Sequence, residues 1–484
     1  MPRTIAGALL ALVLVPAALF AQGITSAEYA ARRDSLAARI DSGVVVAFGA
    51  PDPTAIARAP QLPAFRYLTG FLEPNAVLVM VVRGGRPAGT LYLQPRSPAR
   101  ALYDGFPPDS SEVARETGLA ARSMAALAPA IDSLAASGLP FWTLRDFSGG
   151  DYASQDSLTR GASFERDLLR RQPGLALRSA HPIVDSLRAR KSPAELALLR
   201  RAIAITVAAQ REAMRFVRPG RWEYEVEALY QSAFRRAGGD GAAFGSIVGS
   251  GPNSTQYHYQ ANDRRMAAGE VVVMDVGAGF GGYAADVTRT VPVSGRFTPE
   301  QRAVYQIVRD AQEASARVLG PGAGWRAWRD SARAVVARGV TRLGLTEGVD
   351  ATFDPPWKSL CAVEPVRCTQ AFLYMAHGLG HGIGIEVHDP PSPYPNTADG
   401  TFEPGNVVTI EPGIYVSTRL LDMLPDTPKN RQMIARVRAA VVRYDNTGIR
   451  IEDDYLVTPN GAEWLSRAPR EITEVEAAMA HRGR

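Results

Sequence analysis

The sequence predicts an α+β protein in which a large, internally repeated C-terminal domain follows a smaller α/β N-terminal domain. Three observations lead to this fold class. The chain of 484 residues is too long for one ordinary core, which favours at least two domains. Between residues 193 and 457 the order helix, helix, strand, strand occurs twice. Before that region, short strand-like and helix-like stretches are mixed.

The N-terminal domain is predicted over residues 22–185. Its only histidine, His181, is expected to be structural, because no reactive cluster surrounds it. The strand candidates are apolar runs and the helix candidate is rich in alanine. The strands are expected at 44–49, 76–82 and 90–95, and the helical run at 111–137.

The first round of the repeat begins with a clear helix start. Ser192 is a typical N-cap, Pro193 takes the first helical position, and Glu195 completes a capping box. The helix ends at a Pro-Gly pair, and a second helix runs from about Trp222 to a Gly-Gly pair. Two strands follow, predicted at 270–279 and 282–293 with a Gly-Gly turn between them.

The second round repeats the same order of elements. Thr298 and Gln301 form another capping box, and a further helix is expected at about 325–340. The strand candidates of this round are 406–416 and 448–457. The two rounds share little visible sequence, so the internal pseudo-symmetry of the predicted domain, residues 186–484, depends on the element order.

The first residues read as an export signal. Arg3 gives a positive start, residues 5–20 are apolar with Pro16 among them, and small residues precede an expected cut after Ala21. A retained membrane anchor is the alternative, but the run is short for a span. The mature protein is therefore expected in the periplasm or outside the cell, with no membrane association after residues 1–21 are removed.

The two cysteines fit an oxidising compartment. Cys361 and Cys368 are close in sequence, and a nearby pair in an exported protein is typically a local disulfide. Two unpaired buried thiols are the alternative.

The charge does not indicate a nucleic-acid partner. The formal net charge is +5, but 54 basic residues face 49 acidic ones along the whole chain. No Lys/Arg-rich block with interleaved aromatic residues occurs, so nucleic-acid binding is not expected.

An acid lies among apolar neighbours in each of the four predicted strands. These residues are Asp275, Asp286, Glu411 and Glu452. A carboxylate in a buried sheet is costly unless a cation or metal neutralises it. One such acid has many structural explanations, whereas four in a twice-repeated unit favour a single shared metal site.

Three of the six histidines lie within the glycine-rich run AHGLGHGIGIEVHDP, residues 376–390. Its central histidine, His381, is predicted to be a nitrogen ligand, and the glycines allow close backbone approach. Two Asp, two Glu and one His suit Mn²⁺, Fe²⁺ or Co²⁺ and accept Zn²⁺. Four carboxylates exceed the charge of one divalent ion, so two ions about 3.5–4 Å apart with a bridging hydroxide are expected.

Four further residues are candidates for the same pocket. Arg450 lies two residues before Glu452, on the same face of the predicted strand. His377, His388 and His258 are the remaining candidates. The alternatives are structural hydrogen bonding for His377 and His388, and an ordinary surface loop position for His258.

Four motifs together resemble the metallopeptidases of the pita-bread fold, in particular the aminopeptidase P and prolidase branch. They are MDVGAGFGGYAADVTRT, HGLGHGIGIEVHD, TIEPGIY and GIRIEDD, and the resemblance covers nearly all of residues 186–458. FRYLTGFLEPNAVLVM, residues 65–80, is similar to the amino-terminal domain of that family. Methionine aminopeptidases share the ligand set but usually lack this domain.

The resemblance implies a role for each candidate. Asp275, Asp286, His381, Glu411 and Glu452 would bind two metal ions, with Mn²⁺ as the first choice, and Asp286 and Glu452 would bridge them. Glu411 would also act as general base. His258, His377 and His388 would contact the substrate. Arg450 would correspond to the arginine beside the last ligand. The substrates implied are peptides with proline at the second position.

Several alternatives stay open at this point. A prolidase that accepts only Xaa-Pro dipeptides has the same motifs, and a non-catalytic peptide-binding module of the same fold is the alternative from another class. The family often forms dimers or tetramers, so a homo-oligomer is expected. Residues 417–446 are interpreted as an insertion near the rim of the active site.

Overall fold

The structure is a computed structural model that describes residues 23–51, 61–95, 98–106, 108–144, 160–390 and 400–480. The predicted export signal, residues 1–21, lies outside the described residues. Within the described ranges, no helix has the length and apolar character that a membrane crossing requires.

A six-stranded mixed sheet forms the N-terminal part, in the order β4-β3-β2-β1-β5-β6. Apolar clusters cover both faces of this sheet, as expected of a small α/β domain. Its strands are β1 (Gly43–Phe48), β2 (Val77–Arg83), β3 (Arg86–Leu93), β4 (Ala120–Ser123), β5 (Phe141–Leu144) and β6 (Leu177–Ser179). Its helices are α1 (Ser26–Ile40), α2 (Pro63–Thr69), α3 (Pro98–Asp104), α4 (Ser110–Thr117), α5 (Leu127–Ala136), α6 (Arg160–Arg171) and α7 (His181–Arg188).

The three predicted strands of this part are confirmed as β1, β2 and β3, but the single helical run at 111–137 is wrong. Gly118 ends α4 in the left-handed conformation, with φ of 68°. The chain then enters β4, where Ala120 pairs with Thr90 of β3, before α5 begins. The residues on both sides of Gly118 have a helical composition, so the sequence did not indicate the edge strand β4. Pairing with β3 decides the conformation of this segment.

The larger part of the chain contains both predicted rounds of helices and strands. The first round comprises α8 (Pro193–Phe216), α9 (Glu223–Arg236), β7 (Gly241–Ala242), β8 (Ile247–Ser250), β9 (Val271–Val276), β10 (Ala278–Phe280), β11 (Tyr283–Ala284) and β12 (Val287–Pro292). The second comprises α10 (Pro299–Val318), α11 (Trp325–Arg342), α12 (Lys358–Val363), β13 (Val407–Ile410), β14 (Gly413–Val416), α13 (Thr418–Asp422), α14 (Pro428–Arg443), β15 (Thr447–Arg450), β16 (Asp453–Thr458) and β17 (Gly461–Trp464), and α15 (Ile472–Ala480) follows.

Both predicted capping boxes are formed. The Ser192 hydroxyl accepts from the amide of Glu195 at 3.2 Å, and the Glu195 carboxylate accepts from the amide of Ser192 at 2.9 Å. Thr298 and Gln301 repeat the same exchange at the start of α10. Each box satisfies two amides that the first turn of a helix leaves unpaired, which fixes where α8 and α10 begin.

Each of the four long strands predicted in this part is broken near its acid. β10 follows β9 after one residue, and the other three predicted strands are likewise divided into β11–β12, β13–β14 and β15–β16. Asp275 lies within β9, whereas Asp286, Glu411 and Glu452 lie in the breaks. A break frees a residue from the alternating directions of a regular strand, so its carboxylate can turn toward the centre of the domain.

Residues 417–446 contribute to the main core. Within this segment α14 buries Met433, Val437 and Val441 in the large apolar cluster of the C-terminal part. That this segment is an insertion stays a prediction. The predicted domain boundary after residue 185 also stays a prediction, and it falls inside α7.

The predicted local disulfide is present. Cys361 and Cys368 are bonded, with their Cα atoms 5.7 Å apart. Between them, Glu364 receives hydrogen bonds from Arg333 of α11 at 2.8 Å and from Arg367 at 2.7 Å. The bridged segment is therefore tied to the core by charged groups as well as by the disulfide.

Candidate active site

The four acids and His381 converge where the two rounds meet. His381 Nε2 lies 3.6 Å from a carboxylate oxygen of Asp286, 3.6 Å from one of Glu411 and 3.9 Å from one of Glu452. Three of these residues, Asp286, His381 and Glu452, offer ligand atoms that all lie within 4.8 Å of one another. Residues 166 positions apart in the chain thus share one pocket.

The histidine run reaches this pocket by lying along β13. The amide of Thr409 donates to the carbonyl of His381 at 2.8 Å, and the amide of Glu411 donates to the carbonyl of Leu379 at 2.8 Å. A Cβ at Gly380 would lie 2.1 Å from the carbonyl oxygen of Thr409, so only glycine permits this approach. The close packing predicted from the glycines is present at this position.

The acids of the pocket are buried with oxygens that have no hydrogen-bond partner among the described residues. These atoms are Oδ1 of Asp275, Oδ1 of Asp286 and Oε1 of Glu452. Each of the three residues is at most 7% exposed. Burial, and next the charge of Glu452, holds the pKa of Asp286 well above its usual range. Burial and then Asp275 raise the pKa of Glu452 to about 8. Such unpaired, crowded carboxylates fit cation ligands.

The tautomer of His381 supports the same conclusion. Its Nδ1 lies 2.9 Å from the carbonyl of Gly382, which only accepts, so Nδ1 carries the hydrogen. Burial, and next His388, lowers the pKa of His381 to about 3, so the imidazole is neutral. Its Nε2 lone pair therefore faces carboxylate oxygens, a contact between acceptors that a cation would make favourable.

The donor set fits divalent cations. It offers four carboxylates and one neutral imidazole nitrogen, which are the ligands of Mn²⁺, Fe²⁺, Co²⁺ and Zn²⁺ in proteins. Two ions would balance more of the negative charge than one. The residues that would hold them are those predicted from the sequence: Asp275, Asp286, His381, Glu411 and Glu452.

Arg450 links the acids to a chain of aromatic side chains. Its Nη2 lies 2.5 Å from Oδ2 of Asp275, and its Nη1 donates to the hydroxyl of Tyr415 at 2.8 Å. The single strand predicted through Arg450 and Glu452 is wrong, because β15 ends at Arg450 and Glu452 lies in the break that follows. The predicted proximity of this cation to Glu452 is confirmed, since the two charges interact, and the guanidinium also pairs with Asp275 of the neighbouring β9.

His377 lies at the end of this chain. The hydroxyl of Tyr415 is 3.0 Å from His377 Nε2, and His377 Nδ1 lies 2.7 Å from the carbonyl of Gly378. Burial, and next the positive charge of Arg450, lowers the pKa of His377 to about 3. His377 Nδ1 is also 3.7 Å from Oε2 of Glu411, which places this neutral imidazole beside the predicted base.

The other two histidines lie toward the open side of the pocket. The ring of His388 contacts the ring of His381 edge to face, with centroids 4.2 Å apart. His258 is exposed in the loop after β8, beside Tyr257, whose ring packs against His377. Three of the four acids are thus buried, His377, His381 and His388 are partly exposed, and His258 is exposed.

Residues from the junction with the N-terminal part hold the segment of His388. Asp389 accepts from Arg188 at 2.5 Å and from Lys191 at 2.7 Å, and all three residues are buried. Paired charges satisfy a carboxylate that would otherwise be costly at this depth.

Sequence reasoning did not identify Tyr415, Tyr257 or Glu223. Glu223 is fully buried at the start of α9 and accepts from the amide and hydroxyl of Ser250, at 2.6 and 2.7 Å, and from the Tyr259 hydroxyl at 2.9 Å. It anchors both sides of the loop that carries His258. Tyr415 lies within the motif TIEPGIY, and Tyr257 directly precedes His258. Glu223 has no such signal, because an acid in the first turn of a helix is common.

This fold and this site define a metal-dependent hydrolase with two pseudo-symmetric halves. Residues 197–459 match Metallopeptidase family M24, and residues 29–138 match the Aminopeptidase P, N-terminal domain. The chain belongs to metallopeptidase family M24. The predicted α+β pita-bread fold, with its smaller α/β N-terminal domain, and the predicted family are confirmed.

Relatives match the chain over most of its length. It is 31% identical to an Xaa-Pro aminopeptidase of Escherichia coli, over 94% of this chain and 98% of that protein. It is 33% identical to a human Xaa-Pro dipeptidase, over 62% of each chain. The structure of E. coli aminopeptidase P with the inhibitor Pro-Leu has a TM-score of 0.77 at 29% identity, covering 95% of this chain and 99% of that one.

Proposed function

We propose that this enzyme is an Xaa-Pro aminopeptidase, which hydrolyses the bond between an amino-terminal residue and a following proline. The observation that carries the proposal is the convergence of the acids on a neutral imidazole, with His377 beside Glu411 and His388 against His381. The E. coli relative that shares both parts of the chain is an Xaa-Pro aminopeptidase, which supports this substrate class.

The proposed cofactor is a pair of divalent ions, with Mn²⁺ as the first choice and Zn²⁺, Co²⁺ or Fe²⁺ as alternatives. Asp275, Asp286, His381, Glu411 and Glu452 would hold them. Bound there, the ions would supply an acidified water and charge stabilisation for the reacting carbonyl.

Residues of the chain itself would guide the proton. Water adds to the carbonyl carbon, the bond from that carbon to the proline nitrogen breaks, and one water proton passes to the nitrogen. We assign Glu411 as the base that accepts this proton, because its carboxylate lies beside the other proposed ligands, with Oε1 3.6 Å from Nε2 of His381. His258, His377 and His388 would orient the substrate above it, and Arg450 would hold Asp275 and Tyr415 in place.

The preference for proline has a physical reason. An Xaa-Pro bond lacks an amide hydrogen and has a fixed φ, so peptidases that bind an extended backbone handle it poorly. A pocket lined by side chains does not require the missing donor. The partly exposed histidines above the acids provide such a lining.

The experiment that tests the proposal compares a dipeptide with a tripeptide, both beginning with the same Xaa-Pro sequence, in the presence of Mn²⁺. Hydrolysis of both is expected. Activity on the dipeptide alone would favour the prolidase alternative, to which the likeness to the human dipeptidase lends support.

Chelation separates an enzyme from a non-catalytic peptide-binding module. Removal of metal is expected to abolish hydrolysis, and addition of Mn²⁺ to restore it. Full turnover after chelation, or no turnover on any Xaa-Pro peptide with metal present, would overturn the proposal.

We also propose that residues 1–21 are removed and that the mature enzyme lies in the periplasm or outside the cell. The composition of these residues and the Cys361–Cys368 disulfide support this location. Intact mass of the exported protein tests it, because a retained Met1 would contradict cleavage.

We further propose a homo-oligomer, a dimer or tetramer, which sedimentation analysis would measure.

A further inference from the structure

Two buried glutamines occupy corresponding places in the two rounds of the repeat. Gln210 lies in α8 and Gln312 lies in α10, the first helix of each round, and neither is exposed. Each follows a buried alanine, Ala209 or Ala311. The small alanine allows the helix to approach the strands behind the pocket closely.

Each glutamine uses one amide group to join the two stretches of chain that carry the acids of its own round. Gln210 Nε2 donates to the carbonyls of Met274 at 3.1 Å and Val287 at 2.7 Å. Met274 directly precedes Asp275, and Val287 directly follows Asp286. The side chain thus fixes the main chain beside both acids of the first round.

The second round repeats the arrangement. Gln312 Nε2 donates to the carbonyls of Ile410 and Ile451, both at 3.2 Å. Ile410 directly precedes Glu411, and Ile451 directly precedes Glu452. All four predicted acidic ligands therefore have a neighbouring carbonyl bound by one of two glutamines.

A second partner orients each amide. Gln210 Oε1 lies 2.9 Å from the hydroxyl of Tyr230, and Gln312 Oε1 accepts from Arg470 at 3.1 Å. Carbonyls only accept hydrogen bonds, so the NH₂ group of each glutamine must face the strands. For Gln312 the arginine, which only donates, requires the same orientation.

We infer that Gln210 and Gln312 are positioning residues for the metal site, each setting the separation of the paired acids of one round. This inference depends on the proposed function, since it assumes that these acids bind metal. No hydrogen bond joins either glutamine to the side chain of a predicted ligand, so both act through the main chain. Gln312 Nε2 also donates to Oδ2 of Asp453, the residue after Glu452, at 3.0 Å. Residues that support ligands in this indirect way typically contribute about 10–100-fold to metal affinity.

The test uses Gln210→Met and Gln312→Met, which keep an unbranched side chain of similar length and remove its hydrogen bonds. The matched control is Gln61→Met. Gln61 is also buried and also bonds to the main chain, accepting from Ala50 and donating to the carbonyl of Glu73, but it lies in the N-terminal part. All three variants are expected to lower the melting temperature of the chelated protein.

The decisive measurements are calorimetric titration of chelated protein with Mn²⁺ and the visible absorption spectrum of the Co²⁺ form. We expect Mn²⁺ to bind at least about 10-fold more weakly to the two site variants, and the Co²⁺ bands to change. Gln61→Met is expected to match the wild type in both. Equal affinities in all the proteins, or an equal loss in Gln61→Met, would overturn the inference.

Two further outcomes are distinguishable. If the wild type itself fails to bind two ions per chain, the proposed function fails and the inference fails with it. If the glutamine variants do not fold, Tyr230→Phe replaces them, since it keeps Gln210 and removes only the hydroxyl that orients it. A smaller loss of Mn²⁺ affinity is expected there, and an unchanged affinity would contradict the inference.

Discussion

The hydroxyl of Thr288 donates to Oε2 of Glu452 across 2.6 Å, and the amide of Glu452 donates to the carbonyl of Thr288 across 3.1 Å. Thr288 lies in β12 of the first round, and Glu452 lies just before β16 of the second. Both residues are at most 1% exposed. The two halves are therefore joined directly at a predicted metal ligand.

Loss of this joint is expected to weaken metal binding. Thr288→Val keeps the shape of the side chain but leaves Glu452 Oε2 without its donor, and we expect about 10-fold weaker Mn²⁺ binding by calorimetric titration. Thr69→Val, which removes a buried hydroxyl in the N-terminal part, serves as the control. An unchanged affinity in Thr288→Val would show that this hydrogen bond does not position the ligand.

Arg450→Met is expected to destabilise the chelated protein. The change leaves the buried carboxylate of Asp275 without its partner at 2.5 Å, and breaking a buried pair costs about 3–5 kcal/mol. Urea unfolding measures the free energy of unfolding. The control is Arg436→Met, whose exposed pair with Glu347 is worth no more than about 1 kcal/mol. Equal losses in the two variants would contradict the role of burial.

Glu411→Gln is expected to reduce turnover by about 10²–10⁴-fold, because it removes the proposed base, which is also a proposed metal ligand. The fold should be intact, because glutamine keeps the size and shape of glutamate and removes a charge that burial disfavours. Steady-state kinetics on an Xaa-Pro tripeptide and circular dichroism provide the measurements. Near-normal rates would remove Glu411 from the mechanism.

Glu223→Gln is expected to raise KM for peptides while Mn²⁺ affinity stays unchanged. The amide has one acceptor oxygen where the carboxylate has two, so the amide of Arg264 and the Tyr259 hydroxyl lose the partner they share in Oε2. The loop carrying His258 would then lose its anchor. Glu212→Gln, at a partly exposed position on α8 where the carboxylate pairs with Arg236 of α9, is the control. A loss of metal affinity would show that Glu223 acts on the whole site.

Glu364 is expected to make stability sensitive to acid. Burial opposes its charged form, but Arg333 and Arg367 outweigh burial and lower its pKa to about 2 from 4.5. Between these values the unfolded chain binds a proton that the folded chain does not, so stability falls as pH falls through this window and is complete above it. In urea unfolding, the deficit of Glu364→Gln relative to wild type should be largest above pH 5 and shrink toward pH 3. A deficit that does not vary with pH would contradict this assignment.

Much of the fold could be predicted because its signals are local. A capping box depends on two residues three positions apart. The box of Ser192 and Glu195 predicts the start of α8, and the box of Thr298 and Gln301 predicts the start of α10. The edge strand β4 could not be predicted, because its pairing with β3 involves residues about thirty positions away. The same limit applies to the breaks beside Asp286, Glu411 and Glu452, which depend on how the two halves meet.

The sequence by itself determined which five residues form the candidate metal site, because acids within apolar strands and a histidine among glycines stand out against their neighbours. Only the tertiary structure decided their partners. The pairing of Arg450 with Asp275, the contact of Tyr415 with His377 and the two glutamines behind the strands join residues 38 to 175 positions apart. Such contacts depend on strand register and helix packing, which are properties of the assembled core and not of any one segment.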